Sequence, residues 1–219
     1  MNSRALRSRR QEKKTTDSLT LAEGRLLVRV ARDAVGYYIS TGERPTLKVK
    51  EPRLHKKMGV FTTLRKVVEG NLRLRGCIGF PTATKPLAEA AVDSAIAAAT
   101  NDPRFPPIRM RELGNVVFSL SVLSPLRRLR VSSPLEYPSR IQVGRHGAVI
   151  EWGAYGGLLL PEVPVEESWD EEDYLANLCL KAGLPPDAWL TERTRIYVFT
   201  SQVFEEETPA GPVKLRKSL

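Results

Sequence analysis

The segment "NLRLRGCIGF", residues 71–80, holds one of the two cysteines of this 219-residue chain. Arg75 precedes Cys77 by two positions, so both side chains would share one face of a strand. A thiolate is the reactive form of cysteine, and a neighbouring cation lowers its pKa. Gly76 and Gly79 would let a ligand or another backbone come close. The segment therefore predicts either a reactive thiol on a basic surface or a small core side chain, because free cysteine is often buried.

Other polar residues could take part in chemistry elsewhere in the chain. In "GRHGAVI", His146 and Arg145 are predicted to lie in a turn, where histidine acts as a base or phosphate contact, or only bonds to backbone. In "NDPRFPP", Asp102 and Arg104 either orient a polar ligand or form a turn cluster stiffened by prolines. Cys179 lies among leucines of a predicted helix, and we interpret it as a core residue.

The elements that must position these residues follow from periodicity and turn signals. Helices are predicted at about 20–40, 86–100 and 168–182, the first opened by a Thr20–Glu23 capping box and the last by a Ser168–Glu171 capping box. Strands are predicted within 59–80, 140–163 and 194–204, together with a half-buried strand at 115–124. This order predicts an α+β fold in which a mixed or antiparallel sheet packs with helices.

Net charge and composition limit the class of protein. Of the net charge of +9, residues 1–16 carry +5, from six basic side chains and one acidic one. We expect residues 1–17 to be a disordered basic arm, which either makes salt-sensitive contacts with nucleic acid or is only solvated. The sequence has no apolar run long enough for a membrane span and too few cysteines for a disulfide framework. We therefore expect a cytoplasmic protein.

The strong catalytic motifs are absent from the sequence. There is no phosphate-binding Walker loop, no dinucleotide-binding glycine fingerprint and no serine in a nucleophile elbow. The cysteines and the histidines, His55 and His146, show none of the paired spacings of a structural zinc site. We therefore predict neither a metal nor a cofactor.

Seven sequence blocks together resemble the AMMECR family. "LRGCIG", residues 74–79, is similar to the family's signature hexapeptide. The other blocks stand in the family's order: "GVFTTL", "DPRFPP", "SVLSP", "GRHGAVI", "GLLLPEV" and "CLKAGLPPDAW". The resemblance implies a larger α/β subdomain and a smaller β-rich subdomain, with the hexapeptide near a cleft between them. We accordingly predict one domain over 18–205, a subdomain junction near 124–139 and a flexible tail over 206–219.

The resemblance implies no particular reaction, although prokaryotic relatives are associated with Memo-type and radical-SAM proteins in what could be a shared modification system. The leading prediction is an accessory module that binds a small ligand, a nucleic acid or a protein partner in the cleft. We expect its lining to include the basic and glycine-rich positions Arg75, Gly76, Cys77, Gly79, Asp102, Arg104, Arg145 and His146. The alternatives are a thiol enzyme with Cys77 as nucleophile and His146 as base, or nucleic-acid binding through residues 1–16. The oligomeric state stays open.

Overall fold

The computed structural model of the protein describes residues 18–216, so the predicted basic arm lies outside the described residues. The described chain forms two compact units. The first unit comprises the described residues up to Val122 together with Gln202–Arg216, and the second comprises Leu123–Ser201. The chain thus leaves the first unit once and returns to it once.

Six α-helices and nine strands lie within residues 18–216. The helices are α1 (Leu21–Thr41), α2 (Leu87–Thr100), α3 (Met110–Leu113), α4 (Tyr137–Arg140), α5 (Val163–Glu166) and α6 (Glu171–Lys181). The strands are β1 (Val60–Val68), β2 (Asn71–Phe80), β3 (Val116–Leu123), β4 (Arg127–Arg128), β5 (Gly147–Trp152), β6 (Tyr155–Leu159), β7 (Arg195–Phe199), β8 (Ser201–Glu206) and β9 (Val213–Arg216). Short 3₁₀ helices occur at Pro52–His55, Pro134–Glu136 and Ala188–Leu190.

The first unit is a five-stranded sheet packed with helices. Its strand order is β2-β1-β3-β8-β9, and β1 pairs antiparallel with both β2 and β3. The helix α1 begins at the predicted capping box, in which the Thr20 side chain accepts from the Glu23 backbone N–H and Glu23 accepts from the Thr20 backbone N–H. Apolar side chains of α1, α2 and the sheet form one core, which includes Leu27, Ala91 and Phe118.

The second unit is a four-stranded sheet in the order β4-β7-β5-β6, with β7 antiparallel to both β4 and β5. Helix α6 packs against this sheet, and their shared core contains Ile150, Tyr174 and Cys179, each fully buried. The position of Cys179 agrees with its interpretation as a core residue. The two units together confirm the predicted α+β fold, with antiparallel sheets packed with helices.

Three local features differ from the predictions. All eight residues of β3, which lies between β1 and β8 in the interior of the sheet, are buried, so both faces of the strand are covered and its serines do not mark a solvent face. Helix α6 is capped by Asp170, whose carboxylate accepts from the backbone N–H groups of Glu172 and Asp173, and not by Ser168. The segment predicted to be a flexible tail contains β9, which pairs with β8.

Among residues 18–216, no helix is long and apolar enough to cross a membrane.

Candidate functional site

The hexapeptide segment lies in β2, at the edge of the first sheet. Cys77 pairs with Thr63 and Gly76 with Leu64, whereas the next residue of β1, Arg65, pairs with Leu74. Arg75 is therefore an extra residue that forms a β-bulge. A bulge interrupts the alternation of faces, so the spacing of two positions does not relate the side chain of Arg75 to that of Cys77 as the sequence predicted.

The glycines of this segment allow close packing by neighbouring protein atoms. A β-carbon at Gly76 would overlap the backbone carbonyl oxygen of Ala98 in α2. A β-carbon at Gly79 would overlap the ring of Phe61 in β1. Of the two uses predicted for these glycines, the structure therefore shows the approach of another backbone at Gly76 and of an aromatic ring at Gly79.

Cys77 is half-buried, and its Sγ lies 3.3 Å from the hydroxyl of Thr63. Burial is the largest influence on the thiol, and it raises the pKa of Cys77 above its ordinary value. The Thr63 hydroxyl and the nearby guanidinium groups of Arg104 and Arg65 favour the thiolate, whereas the Asp102 carboxylate disfavours it, and the net shift of the Cys77 pKa is upward. Cys77 is consequently a neutral thiol near pH 7.

Asp102 ties the loop after α2 to the edge of β2. Its side chain is 3% exposed, and its Oδ2 accepts a hydrogen bond from the backbone N–H of Cys77 at 2.8 Å. Oδ1 accepts from the backbone N–H and from Nε of Arg104, at 3.1 and 2.9 Å. The hydrogen bond from the Arg104 side chain, with those from the two backbone groups, holds the pKa of Asp102 far below its usual range. Asp102 is therefore ionised and fixed in position.

Arg104 is held rigidly but remains open to solvent. Its Nη2 donates to Oδ2 of Asp102 at 2.7 Å, while 54% of its side chain is exposed. Its guanidinium carbon lies 5.5 Å from the ring centroid of Phe105, within cation–π range. A guanidinium fixed in this way by a carboxylate and a ring has already lost side-chain freedom before any ligand binds. We refer to Thr63, Arg65, Cys77, Asp102 and Arg104 as the Cys77–Arg104 surface.

Arg75 is bound to an acidic partner inside the first unit. It is 8% exposed, and its Nε and Nη2 lie 3.4 Å from the two carboxylate oxygens of Glu112. The backbone N–H of Arg109 and the Arg75 guanidinium lower the pKa of Glu112. The remaining nitrogen, Nη1, is buried and has no hydrogen-bond partner among residues 18–216. The interaction with Glu112 gives Arg75 a structural role.

His146 and Arg145 lie in the second unit, in the predicted turn. The Nδ1 atom of His146 accepts a hydrogen bond from the backbone N–H of Gln142 at 3.1 Å. Burial and the cations Arg145 and Arg127 lower the pKa of His146, so its ring is neutral at pH 7. Arg145 is exposed and donates to the side-chain oxygen of Gln142 at 3.0 Å. These bonds match the interpretation of His146 as a turn residue that bonds to backbone.

Four side chains near the hexapeptide were not identified from the sequence as candidate site residues: Thr63, Arg65, Phe105 and Glu112. Thr63 and Arg65 become relevant only through the pairing of β1 with β2, which a sequence does not display. Phe105 follows Arg104 directly, and its aromatic type beside an arginine was an available signal. Glu112 is distant along the chain, and no spacing rule connects it to Arg75.

The fold and this surface define a class: a two-unit α+β protein whose glycine-bearing edge strand is fastened to an Asp–Arg loop. No group of three or more His, Cys, Asp or Glu side chains in the described part of the chain could hold a metal ion. The chain belongs to the AMMECR1 family, whose family model matches residues 28–204.

Archaeal proteins of similar length are close to this chain in sequence and structure. Protein MK0488 of Methanopyrus kandleri is 52% identical over 201 residues, which cover 91% of this chain and 96% of that protein. Protein PH0010 of Pyrococcus horikoshii is 52% identical over 198 residues, covering 90% and 95%. The crystal structure of the uncharacterised protein PH0010 superposes with a TM-score of 0.84, covering 90% of this chain and 97% of that one.

Proposed function

We propose that this protein is an accessory binding module, and that an anionic group of a small ligand or protein partner binds at the Cys77–Arg104 surface. The observation that supports this proposal is the buried Asp102, which fixes both the Cys77 backbone and the exposed Arg104 guanidinium. The Nε–Nη2 edge of Arg104 is bonded to Asp102, so an anion would pair with the Nη1 hydrogens and the remaining Nη2 hydrogen, and a side chain that is already ordered loses less entropy on binding. The accessory role in a modification system, implied by the family resemblance, belongs to this proposal.

The chemistry at Cys77 favours binding over nucleophilic catalysis. A thiol with a raised pKa is mostly protonated near pH 7, whereas a nucleophilic cysteine needs a lowered pKa or an adjacent base. His146, the predicted base, is engaged with the backbone of Gln142 in the second unit. The thiol can still donate or accept a weak hydrogen bond beside the anionic group. Binding of nucleic acid by residues 1–16 stays a prediction.

Succinate, as a simple dicarboxylate, tests the surface by titration into ¹⁵N-labelled protein. We expect saturable chemical-shift changes at the Cys77 backbone amide and at the Arg104 Nε–H. The Arg104→Lys variant keeps the positive charge but loses the paired donors, so we expect the response at the Cys77 amide to weaken strongly. Arg73→Lys, the same change at an exposed arginine of β2, is the matched control and should respond like the original protein. Two results would contradict the proposed surface. One is that the Cys77 amide of the original protein shows no saturable response to succinate. The other is that this response is unchanged in the Arg104→Lys variant.

A further inference from the structure

A second basic region lies at the edge of the second unit, where β4 leads into "RLRVSSP", residues 128–134. The backbone N–H of Leu129 donates to the Ile196 carbonyl at 2.8 Å, so this segment continues alongside β7. Leu129 is 4% exposed and belongs to the core, whereas its two neighbours, Arg128 and Arg130, are exposed. The alternation of a strand therefore directs both arginines away from the core.

These arginines line an open pocket of about 410 Å³. Buried residues give part of its lining a fixed position, because the Tyr137 hydroxyl donates to the Thr194 carbonyl at 3.3 Å and Thr194 is 3% exposed. The Thr194 hydroxyl in turn donates to the Ala188 carbonyl at 2.6 Å. Ser132 and Ser133 add two hydroxyl groups to the lining, whereas the Thr191 hydroxyl already donates to the Ala188 carbonyl at 2.9 Å.

The positive charge of this pocket exceeds its negative charge. Arg128 and Arg130 form no ion pair with any carboxylate among residues 18–216, unlike Arg140, which pairs with Glu136. Glu192 is the acidic residue of the pocket lining, which therefore carries two positive charges and one negative charge. Arginine side chains that are not satisfied within the protein can bind an external anion through several charge-assisted hydrogen bonds.

We propose that this pocket binds the phosphate group of a small phosphomonoester. A phosphomonoester carries a charge of about −1.5 to −2 at pH 7 and three strong acceptor oxygens, which suits two guanidinium groups and adjacent hydroxyls. The volume is within the range of small-molecule sites and leaves space for an organic group beyond the phosphate. Glu192 is the acceptor suited to a hydroxyl or amine of that group. This site lies in the second unit and is independent of the Cys77–Arg104 surface.

O-phosphoethanolamine is the probe for this proposal, because it combines a phosphomonoester with an amine. Calorimetric titration into the full chain should show saturable binding with one ligand per chain, and ethanolamine or acetate should bind far more weakly. In ¹⁵N-labelled protein the chemical shifts of the Ser132 and Ser133 amides should move with the same saturation curve. Inorganic phosphate should compete, since the proposal rests on the phosphate group.

Two double variants with equal changes in net charge separate this pocket from general electrostatic attraction. Arg128→Gln with Arg130→Gln should weaken binding at least about tenfold, given the typical strength of hydrogen bonds to charged groups. Arg193→Gln with Arg195→Gln, at exposed arginines outside the pocket lining, should weaken binding by much less than about tenfold, because these side chains add only general attraction for an anion. Circular dichroism checks that both double variants fold. If the variant with Arg128→Gln and Arg130→Gln does not fold, the single Arg130→Gln variant replaces it.

The proposal is overturned if the original protein shows no saturable binding of O-phosphoethanolamine. It is equally overturned if both double variants lose affinity to the same extent, or if the shifts occur away from Ser132 and Ser133. None of these outcomes bears on Arg104, so the two proposed sites succeed or fail separately.

Discussion

Three arginines of the first unit are tied to carboxylates, whereas Arg128 and Arg130 of the second unit have no such partner among residues 18–216. Carboxylates with little exposure hold three arginines of the first unit, in the pairs Arg32–Glu206, Arg75–Glu112 and Arg104–Asp102. These pairs fasten one segment of backbone to another, and of the three arginines only Arg104 keeps more than half of its side chain exposed. An arginine without a carboxylate partner keeps all of its donors available for a ligand. Residue type alone therefore does not separate structural arginines from binding arginines, whereas the partner and the exposure of the side chain together do.

The pair Arg32–Glu206 offers the strongest test of this comparison. Glu206 is 3% exposed, and Arg32 also donates to the carbonyls of Leu113 and Val116. Arg32→Met leaves a buried carboxylate without its cation, so we expect a loss of about 3–5 kcal/mol in the free energy of unfolding. The matched change Arg128→Met should stay within about 0.5 kcal/mol. Urea unfolding measures both, and equal effects at the two positions would remove the distinction.

Gly76 tests whether the hexapeptide is built for packing. Gly76→Ala forces a β-carbon against the carbonyl of Ala98, and we expect a loss of about 1–3 kcal/mol from overpacking. Gly114 is the control, since a β-carbon there meets no atom within 4 Å and its φ of −66° suits alanine. Gly114→Ala should be neutral or slightly stabilising. Thermal unfolding of the two variants distinguishes them, and a fully stable Gly76→Ala protein would refute the packing role.

Asp102 tests whether its contacts with Arg104 and Cys77 stabilise the fold in a pH-dependent way. Because its pKa is lowered in the folded protein, its contribution is complete above the unfolded pKa of about 3.9 and is lost as the pH falls. Asp102→Asn should cost about 1–3 kcal/mol at pH 7, and the difference from the original protein should shrink toward pH 3. Urea unfolding between pH 3 and pH 7 measures the difference in the free energy of unfolding between the two proteins. A difference that is constant with pH would contradict the ionised, hydrogen-bonded carboxylate.

Cys77 gives the smallest expected effect and bears on the enzyme alternative. In a Cys179→Ser background, the rate of alkylation should rise with a midpoint above the ordinary pKa of cysteine, because burial disfavours the thiolate. Thr63→Val removes a hydrogen bond that favours the thiolate, so it should move this midpoint further up. A midpoint below pH 7 would instead support the alternative prediction of a thiol enzyme with Cys77 as nucleophile.

Much of the fold could be predicted because local signals agreed with the tertiary structure. Helix α1 begins at its predicted capping box and ends at Gly42, whose φ of +76° suits glycine, and β1 and β2 both lie within the predicted strand region 59–80. Prediction was wrong at β3, since alternating serines describe a face but not what covers it. It was also wrong at Ser168, because the nearby Asp170 caps α6 with two hydrogen bonds.

The sequence by itself determined the residue types, the family resemblance and most element positions, because periodicity, caps and motifs act within a few neighbouring residues. Only the tertiary structure decided what those residues do. The bulge at Arg75, the burial of the Cys77 thiol and the reach of Glu112 to Arg75 depend on strand register and on contacts between distant segments. Asp102 lies between these cases: its turn was predictable from the sequence, but its bond to the Cys77 backbone was not.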